Sequence, residues 1–305
     1  MKLTNRVLVV GGTGFLGGKV VDQLLERGKT VRALVRPGSD TTRLQAKSVE
    51  IVRGDMLDIN TLPPAMRGVD ALITTAIGYS RRRKSDSETT DDIGNRNLID
   101  AALQVGLPLF VFTGVLNAEK ARNVSHFYQK VVIEDYLEQS GMPFVSIRPP
   151  GFIDQVLSKE DIARGRIMAP FAADAKASII LADDVARYLA MSVDVPEAVG
   201  QKIPVAAETP ISLGEIAETL SRLSGRSIRL QSPPQWMLKV ALPMMGLFNP
   251  MMREMPAMMD FIASGDYIAG TNLQRQYFDV RSTEDTLRQW LSQNNLLLRL
   301  QVSTA

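Results

Sequence analysis

Residues 6–17 read RVLVVGGTGFLG, an apolar, β-branched run that passes directly into three glycines spaced three positions apart. Gly11 can adopt the tight turn that a side chain opposes, Gly14 lets the backbone approach a diphosphate, and Gly17 lets the next helix pack closely on the strand. The free N–H groups and the dipole at the start of that helix favour negative charge. The stretch therefore predicts a strand, a glycine turn and a helix that together bind the diphosphate of a dinucleotide.

The surroundings of the glycines strengthen this prediction, because their spacing alone is a weak signal. The predicted helix has an apolar face at Leu16, Val20 and Leu24. A P-loop is excluded, because no Lys-Ser or Lys-Thr pair follows the last glycine. The residues expected to contact the dinucleotide here are Gly11, Thr13, Gly14, Phe15, Leu16 and Gly17.

Strands and helices alternate from residue 6 to residue 150, which is typical of a parallel sheet. The predicted strands are Arg6–Val10, Thr30–Val35, Glu50–Arg53, Ala71–Ala76, Leu109–Thr113 and Phe144–Arg148. The predicted helices include Phe15–Arg27, Asn95–Val105 and Phe127–Ser140, each followed by a glycine that can end a helix. A further strand–helix unit, Ser178–Met191 followed by Lys202–Ala206, is expected to return to the sheet.

These elements predict an α/β fold of the Rossmann type, a doubly wound parallel sheet with a smaller, mostly helical C-terminal substrate domain. The NAD(P)-binding Rossmann domain is expected in 1–150, with 178–206 returning to its sheet, and a substrate-binding or lid region in 151–177 and 207–305. Eight of the 14 methionines lie in 237–259. Such a run is typical either of helix packing or of a pliable apolar wall over a binding cleft.

The end of the second predicted strand decides which dinucleotide is favoured. NAD sites place Asp or Glu there to hold the ribose 2′-hydroxyl, whereas an arginine accepts a 2′-phosphate. The chain has Arg36 and no acidic residue between Thr30 and Ser39, so NADP(H) is favoured over NAD(H), with a solvated strand-end charge as the alternative. Asp55, followed by Met56, is placed to accept a hydrogen bond from the adenine amino group or, alternatively, to cap a helix.

One predicted helix carries two polar groups suited to chemistry. His126 and Lys130 are four residues apart and share a helix face, whereas Tyr128 lies on another face. An ammonium at position 130 suits the ribose hydroxyls of a nicotinamide or a proton transfer, and His126 is a candidate acid. The alternative for His126 is a polar surface residue at a helix start.

The composition excludes several kinds of chemistry. The net charge is +2, cysteine is absent and there is one histidine, so disulfides, thiolate nucleophiles, iron–sulfur clusters and most metal centres are excluded. The longest uncharged apolar run, 240–252, is interrupted by Pro243 and Pro250, so no membrane span is expected. The basic segment 79–86 is either a lid that attracts anions or a solvated loop, and it gives little support to nucleic-acid binding. We expect a soluble, cytoplasmic protein.

Several motifs together resemble one known family. They are the glycine turn, VRALVR at 31–36, RGD at 53–55, FVFTG at 110–114, Lys130 with Glu134, SG at 140–141, IRP at 147–149 and DDVA at 183–186. Over nearly its whole length the chain resembles the atypical short-chain dehydrogenase/reductases of the NmrA-like group. That group includes NADPH-dependent dye and quinone reductases and isoflavone-type reductases.

The resemblance implies roles for residues after the later strands. Thr113 matches a hydroxyl position that helps to hold a substrate oxygen, and Lys130 matches a residue for cofactor binding and proton transfer. His126 occupies the position of the superfamily's usual tyrosine, which argues against tyrosine-based alcohol oxidation. Further cofactor contacts are implied at Thr75, Ala76, Gly78, Pro149, Gly151 and Phe152.

Together these features predict an enzyme, an NADPH-dependent reductase that passes hydride to a small, largely apolar organic acceptor: a quinone, an activated alkene, an imine, a ketone or a dye. The alternative is a non-catalytic NADP(H)-binding redox sensor or assembly factor, for which the apolar face Met255–Met259 is a candidate docking surface for a protein partner. We expect a small-molecule substrate, no metal, no nucleic-acid partner, and a monomer or homodimer.

Overall fold

The computed structural model describes residues 4–78, 88–169, 174–231 and 250–297. Its strands are β1 (Arg6–Val10), β2 (Thr30–Val35), β3 (Glu50–Arg53), β4 (Ala71–Thr74), β5 (Phe110–Thr113), β6 (Phe144–Arg148), β7 (Arg166–Met168), β8 (Lys202–Pro204) and β9 (Arg229–Gln231). Its α-helices are α1 (Phe15–Glu26), α2 (Thr42–Gln45), α3 (Leu62–Met66), α4 (Asn95–Gln104), α5 (Ser125–Ser140), α6 (Ile153–Val156), α7 (Lys159–Ala163), α8 (Ala182–Met191), α9 (Leu213–Ser224), α10 (Pro250–Ala263), α11 (Asn272–Tyr277) and α12 (Thr283–Gln293). A π-helical turn, Glu88–Gly94, leads into α4. Within these ranges no helix combines the length and the apolar character that a membrane crossing requires.

Seven strands form one parallel sheet in the order β3-β2-β1-β4-β5-β6-β8, and β7 pairs with β9 in a second, small sheet. The strand order reverses between β1 and β4, which is where open α/β sheets bind ligands, at the carboxyl ends of the strands. β8 pairs with β6, so the segment 178–206 does return to the sheet. The strand expected before α8 is absent from 178–181, where Ile180 makes only an isolated bridge with Phe152. The predicted class, a Rossmann-type α/β fold with a doubly wound sheet and a mostly helical C-terminal part, is confirmed.

The bounds of several elements differ from prediction by one or two residues. β4 ends at Thr74, because the Thr74 hydroxyl accepts a hydrogen bond from the Ala76 amide at 3.4 Å and turns the chain out of the sheet. β5 begins one residue later than predicted, at Phe110, and β8 ends two residues earlier. α1 and α4 end one residue early, and α5 begins two residues earlier, at Ser125, which places His126 inside the helix.

Both faces of the large sheet are buried. Val7 and Val9 of β1 face a core shared with α1 and α8, and Leu8 and Val10 face a core shared with α4 and α5. This division follows from the two-residue period of a strand, and a continuous apolar run is typical of a strand covered on both sides. Because each fully buried aliphatic side chain stabilises the fold by about 1.5–3 kcal/mol, the two cores hold the strand ends firmly in place.

Two further cores lie outside the sheet. One joins α6, α7, α9 and α12. The other, which we call the α5–α10 core, joins the start of α5 to α10 through the contacts of Phe127, Phe261 and Tyr267. α10 is thereby fixed against the carboxyl edge of the sheet, next to the residues that follow β5.

The methionine-rich run is described only in part. Met258 packs in the α5–α10 core, and this contact favours the helix-packing interpretation for that residue. The half-buried methionines of α10 are Met252, Met255, Met258 and Met259. The rest of the run, 237–249, and the basic segment 79–86 lie outside the described residues.

Candidate functional site

The glycine turn lies at the carboxyl end of β1 and has the geometry that its spacing predicts. Gly11 has a φ of +88°, and a Cβ atom there would lie 2.8 Å from the Thr75 hydroxyl. A Cβ atom at Gly17 would lie 2.1 Å from the carbonyl oxygen of Gly11. At Gly14 the closest atom would be 3.2 Å away, so this position is more open. Side chains are therefore excluded at positions 11 and 17, where the turn and α1 meet.

The start of α1 fits an anion. The helix has Gly14 as its N-cap, no side chain caps it, and its first turn contains no acidic residue. Thr13, Gly14 and Phe15 are exposed, whereas Leu16 is buried among the apolar residues between α1 and the sheet. The side chain of Leu16, which was expected at the cofactor, is thus a core side chain. The exposed, positively polarised helix end suits a diphosphate.

The ends of β2 and β3 carry two exposed arginines. Arg53 donates hydrogen bonds from Nη1 to the carbonyl oxygens of Arg36, at 3.1 Å, and of Ser39, at 3.2 Å. Arg53 thus fixes the turn on which Arg36 lies and adds a second positive charge there. Arg53 was not predicted from the sequence as a site residue, although it begins the RGD motif and pairs in register with Val35.

Asp55 and Met56 follow β3 and differ in exposure. Asp55 is half-buried, and its Oδ1 accepts a hydrogen bond from the Leu57 amide at 3.0 Å. Asp55 thus caps a turn after β3 and not the start of a helix. Met56 is 6% exposed, and its Cε lies 2.7 Å from the place of a Cβ atom at Gly94. Met56 therefore fills the core beside the π-helical turn and presents little surface to an adenine ring.

The loop after β4 packs on the glycine turn. The Thr75 hydroxyl donates to the carbonyl oxygen of Val10 at 3.2 Å, and Ala76 is half-buried. The Gly78 amide donates to both carboxylate oxygens of Asp91, at 3.2 Å each. The structure thus brings Thr75, Ala76 and Gly78 to the same sheet edge as the glycine turn.

Lys130 holds its ammonium inside the protein. The residue is 5% exposed, and its Nζ lies 3.3 Å from Oδ1 of Asp91 and 5.3 Å from the centre of the Phe112 ring. Asp91 is fully buried, so one carboxylate connects Lys130 with the Gly78 amide. Buried charges of opposite sign are stabilised as a pair. A side chain held in this way is suited to donating hydrogen bonds to the ribose hydroxyls of a nicotinamide.

Contacts one turn beyond Lys130 fix α5 on the sheet. Glu134 is buried and accepts hydrogen bonds from the Ser146 hydroxyl at 2.5 Å and from Arg148 Nε at 2.9 Å. A Cβ atom at Gly114 would lie 2.7 Å from the Glu134 carboxylate, so glycine lets this carboxylate reach the end of β5. The position of Lys130 relative to β5 and β6 therefore follows from buried polar contacts.

Thr113 and the loop after β6 lie beside α5. The Thr113 hydroxyl donates to the carbonyl oxygen of the last residue of β4 at 2.8 Å, so its proton is engaged and its oxygen remains an acceptor. The Pro149 carbonyl accepts from the Leu116 amide at 2.9 Å, Gly151 is exposed, and Phe152 is half-buried. Thr113 is thus suited to accepting a hydrogen bond rather than to donating one to a substrate oxygen.

His126 is buried, which contradicts its alternative interpretation as a surface residue. It is 6% exposed, and its Nδ1 lies 2.5 Å from Oε2 of Glu254, on α10. Its ring packs edge-on against Phe127, with 4.6 Å between the ring centres. Burial raises the pKa of the Glu254 carboxyl, but hydrogen bonds from His126 and Ser125 outweigh burial and hold that pKa below its ordinary value.

Asp91 and Glu254 contact predicted catalytic residues, and neither was itself predicted from the sequence. Asp91 precedes Lys130 by 39 residues, and Glu254 follows His126 by 128 residues, so no local spacing connects the partners. The available signal for Glu254 was a carboxylate inside a methionine-rich apolar run. Among the residues that the structure describes, no group of three histidine, aspartate or glutamate side chains is placed to hold a metal ion.

A doubly wound sheet with a glycine turn at its switch point defines the class of Rossmann-type, dinucleotide-binding α/β proteins. Within that class the chain belongs to the NmrA-like family, whose sequence pattern matches residues 3–281. The family predicted from the sequence is thereby confirmed.

Similar proteins include enzymes and an assembly factor. The NAD(P)H azoreductase of Xenophilus azovorans is 29% identical over 271 residues, which cover 87% of this chain and 89% of that protein. The photosystem II assembly factor Ycf39 of Trieres chinensis is 29% identical over 248 residues, which cover 80% of this chain and 76% of that protein. The crystal structure of Citrobacter sp. triphenylmethane reductase complexed with NADP(H) is similar with a TM-score of 0.77 and 21% identity, over 93% of this chain and 99% of that chain. This last similarity shows a shared fold.

Proposed function

We propose that this protein is an NADPH-dependent reductase that transfers hydride to a small, largely apolar organic acceptor, such as a quinone, an activated alkene, an imine, a ketone or a dye. The observation that carries the proposal is the combination of an uncapped helix start behind the glycine turn with Arg36 at the end of β2. This combination offers N–H groups to a diphosphate and a guanidinium to a 2′-phosphate. The similarity to an NAD(P)H azoreductase supports the same class of activity.

The proposed cofactor is NADP(H), with NAD(H) bound less well. The nicotinamide supplies the hydride when the cofactor is bound. The proposed nucleotide-binding part is 1–150 with 178–206, and the proposed substrate side is 151–177 with 207–305. The residues proposed to contact the cofactor are Gly11, Thr13, Gly14, Phe15, the backbone of Leu16, Gly17, Arg36, Asp55, Met56, Thr75, Ala76, Gly78, Lys130, Pro149, Gly151 and Phe152.

Three side chains have proposed roles at the reacting centre. Lys130, held by Asp91, donates hydrogen bonds to the ribose hydroxyls beside the nicotinamide. Thr113 accepts a hydrogen bond from an N–H or O–H group of the bound cofactor or acceptor, because its own proton is engaged by the sheet edge. His126 donates the proton that a reduced acceptor needs.

The test is NADPH oxidation, followed by absorbance, with a quinone, an azo dye, a ketone and a cationic triarylmethane dye. We expect turnover with at least one of them and lower activity with NADH. Thr113→Val keeps the side-chain shape and removes the oxygen, and it is expected to lower kcat/KM about tenfold, the cost of one lost hydrogen bond. Thr30→Val, at the exposed amino end of β2, is the matched control and should retain activity. No turnover with any acceptor would contradict the proposal.

A second candidate function is a redox sensor or assembly factor that binds NADP(H) and acts through a protein partner without turnover. The similarity to a photosystem II assembly factor favours it. Separate calorimetric titrations with NADP⁺ and NADPH distinguish the two candidates. A sensor binds the two forms with clearly different affinities and transfers no hydride, whereas a reductase turns over. A cytoplasmic location and a monomeric or homodimeric state are also proposed, and cell fractionation and light scattering test them.

A further inference from the structure

Three donors at the start of α5 converge on the carboxylate of Glu254. They are Nδ1 of His126, 2.5 Å from Oε2, together with the Ser125 hydroxyl and the backbone N–H of His126. The N-cap residue of α5, Val124, offers no side-chain hydrogen bond to this end of the helix. Glu254 belongs to α10, so this one carboxylate holds the imidazole and joins two helices of the α5–α10 core.

The contact decides which nitrogen of the imidazole exchanges a proton. Hydrogen bonds keep the pKa of Glu254 below its ordinary value despite burial, so the carboxylate is ionised near neutral pH. An ionised carboxylate only accepts hydrogen bonds, and the proton of the 2.5 Å contact therefore lies on Nδ1. Nε2, on the other side of the ring, is the position from which an imidazolium loses a proton.

The charges around His126 make the Glu254 carboxylate important for proton donation by the imidazole. His126 lies in the first turn of α5, where the helix dipole opposes positive charge on the ring. Lys130, one turn further along the same helix, is paired with Asp91. The carboxylate of Glu254 offsets the dipole and stabilises the positive charge that the imidazole must carry to act as an acid.

We propose that Glu254 is a positioning residue that orients and charges His126 as the proton donor for acceptors whose reduction needs a proton in addition to hydride. The inference rests on the proposed reductase function and deepens it, because it divides the acceptors into two classes. A quinone takes up one hydride and one proton to become a hydroquinone as NADPH becomes NADP⁺. The proton comes from Nε2 of His126, and solvent then reprotonates the ring. A cationic triarylmethane dye takes up hydride at its central carbon and becomes neutral without any proton.

The test measures Glu254→Gln against the unmodified protein with one quinone and one cationic dye at the same NADPH concentration. Glutamine keeps the size of the side chain and removes its charge. We expect kcat for the quinone to fall about 10–100-fold, within the range of general acid catalysis, and kcat for the dye to change by less than about twofold. Dye reduction also reports that the variant is folded and binds NADPH. Asp260→Asn removes an exposed carboxylate from the same helix, and it should leave both rates unchanged.

Two further variants separate positioning from helix capping. Glu254→Asp keeps the charge and should restore part of the quinone rate, and Glu254→Gln should add no further loss when His126 is already replaced by Asn. Equal losses on both acceptors, or additive losses in the double variant, overturn the proposal and leave Glu254 as a cap of α5. Unchanged quinone reduction in Glu254→Gln overturns the proposal while the reductase function stands. If the unmodified protein reduces neither these two acceptors nor the azo dye and the ketone, the reductase function itself fails and the role of Glu254 falls with it.

Discussion

The two sides of the sheet's carboxyl edge differ in the groups that form them: backbone on one side and paired side chains on the other. Beside β1, the glycine turn consists of backbone, and contacts at Gly11 and Gly17 leave no room for a Cβ atom. Beside β5 and β6, side chains from distant segments meet in pairs, with Lys130 on Asp91 and His126 on Glu254. The first arrangement is specified by steric limits within one short stretch of the chain. The second is specified by the need of a buried charged group for a partner of opposite charge.

This difference determines how each side fails when it is altered. The backbone side depends on the absence of side chains, so one added methyl group damages it and no compensating substitution elsewhere is expected. The side formed by side chains depends on contacts between paired residues. The effect of replacing one residue therefore depends on whether its partner is still present. Variants that measure coupling therefore distinguish the two sides better than variants that measure loss alone.

The largest expected effect comes from breaking the buried ion pair. Lys130→Met keeps much of the side-chain volume and removes the ammonium that lies 3.3 Å from Oδ1 of the fully buried Asp91. We expect the free energy of unfolding to fall by about 3–5 kcal/mol, because removing one member of a buried ion pair is costly. Urea denaturation followed by circular dichroism measures the change.

The coupling within this pair is the sharper measurement. The double variant Asp91→Asn/Lys130→Met should be more stable than the sum of the two single losses predicts, by about 1–3 kcal/mol. Lys120→Met, which breaks an exposed pair with Asp266, is the control and should leave the unfolding midpoint unchanged. Strictly additive losses would show that Lys130 and Asp91 do not stabilise each other.

The next effect tests the backbone side. Gly17→Ala places a methyl group 2.1 Å from the carbonyl oxygen of Gly11, so α1 must move away from the turn. We expect a loss of about 1–3 kcal/mol in stability and the loss of measurable NADPH binding by calorimetry. Gly28→Ala, just beyond the other end of α1, has a φ of +72° and open space around its Cβ position. Gly28→Ala should lower the stability by about 1–2 kcal/mol and leave NADPH binding intact. Intact binding in Gly17→Ala would contradict the role of the turn.

The same contrast explains how much could be predicted from the sequence. The glycine turn, the position of Arg36 directly after β2 and the bounds of β1, β2 and β3 were predicted, because each depends on residues close together in the chain. Asp91 and Glu254 were missed, since their partners are brought near only by the completed fold.

Two smaller errors, in the bounds of α5 and β4, have separate causes. The start of α5 was predicted two residues late because the Ser125 hydroxyl and the His126 backbone N–H, in its first turn, donate to Glu254, on another helix. β4 was predicted too long because a Thr74 hydroxyl, rather than a glycine or proline, turns the chain.

The smallest expected effect concerns Arg36, an exposed side chain on the backbone side of the site. Arg36→Ala should raise KM for NADPH about tenfold, equivalent to about 1.4 kcal/mol, and leave KM for NADH unchanged because NADH has no 2′-phosphate. Arg27→Ala is the matched control, since Arg27 is also exposed but precedes β2, at the opposite edge of the sheet. The six residues of β2 separate the two edges by about 20 Å, which exceeds twice the screening length of about 8 Å at physiological salt, so net charge alone cannot produce the effect. A rise in KM for both NADPH and NADH would indicate that Arg36 contacts the diphosphate. The discrimination between NADPH and NADH would then be assigned to Arg53, whose guanidinium holds the same turn.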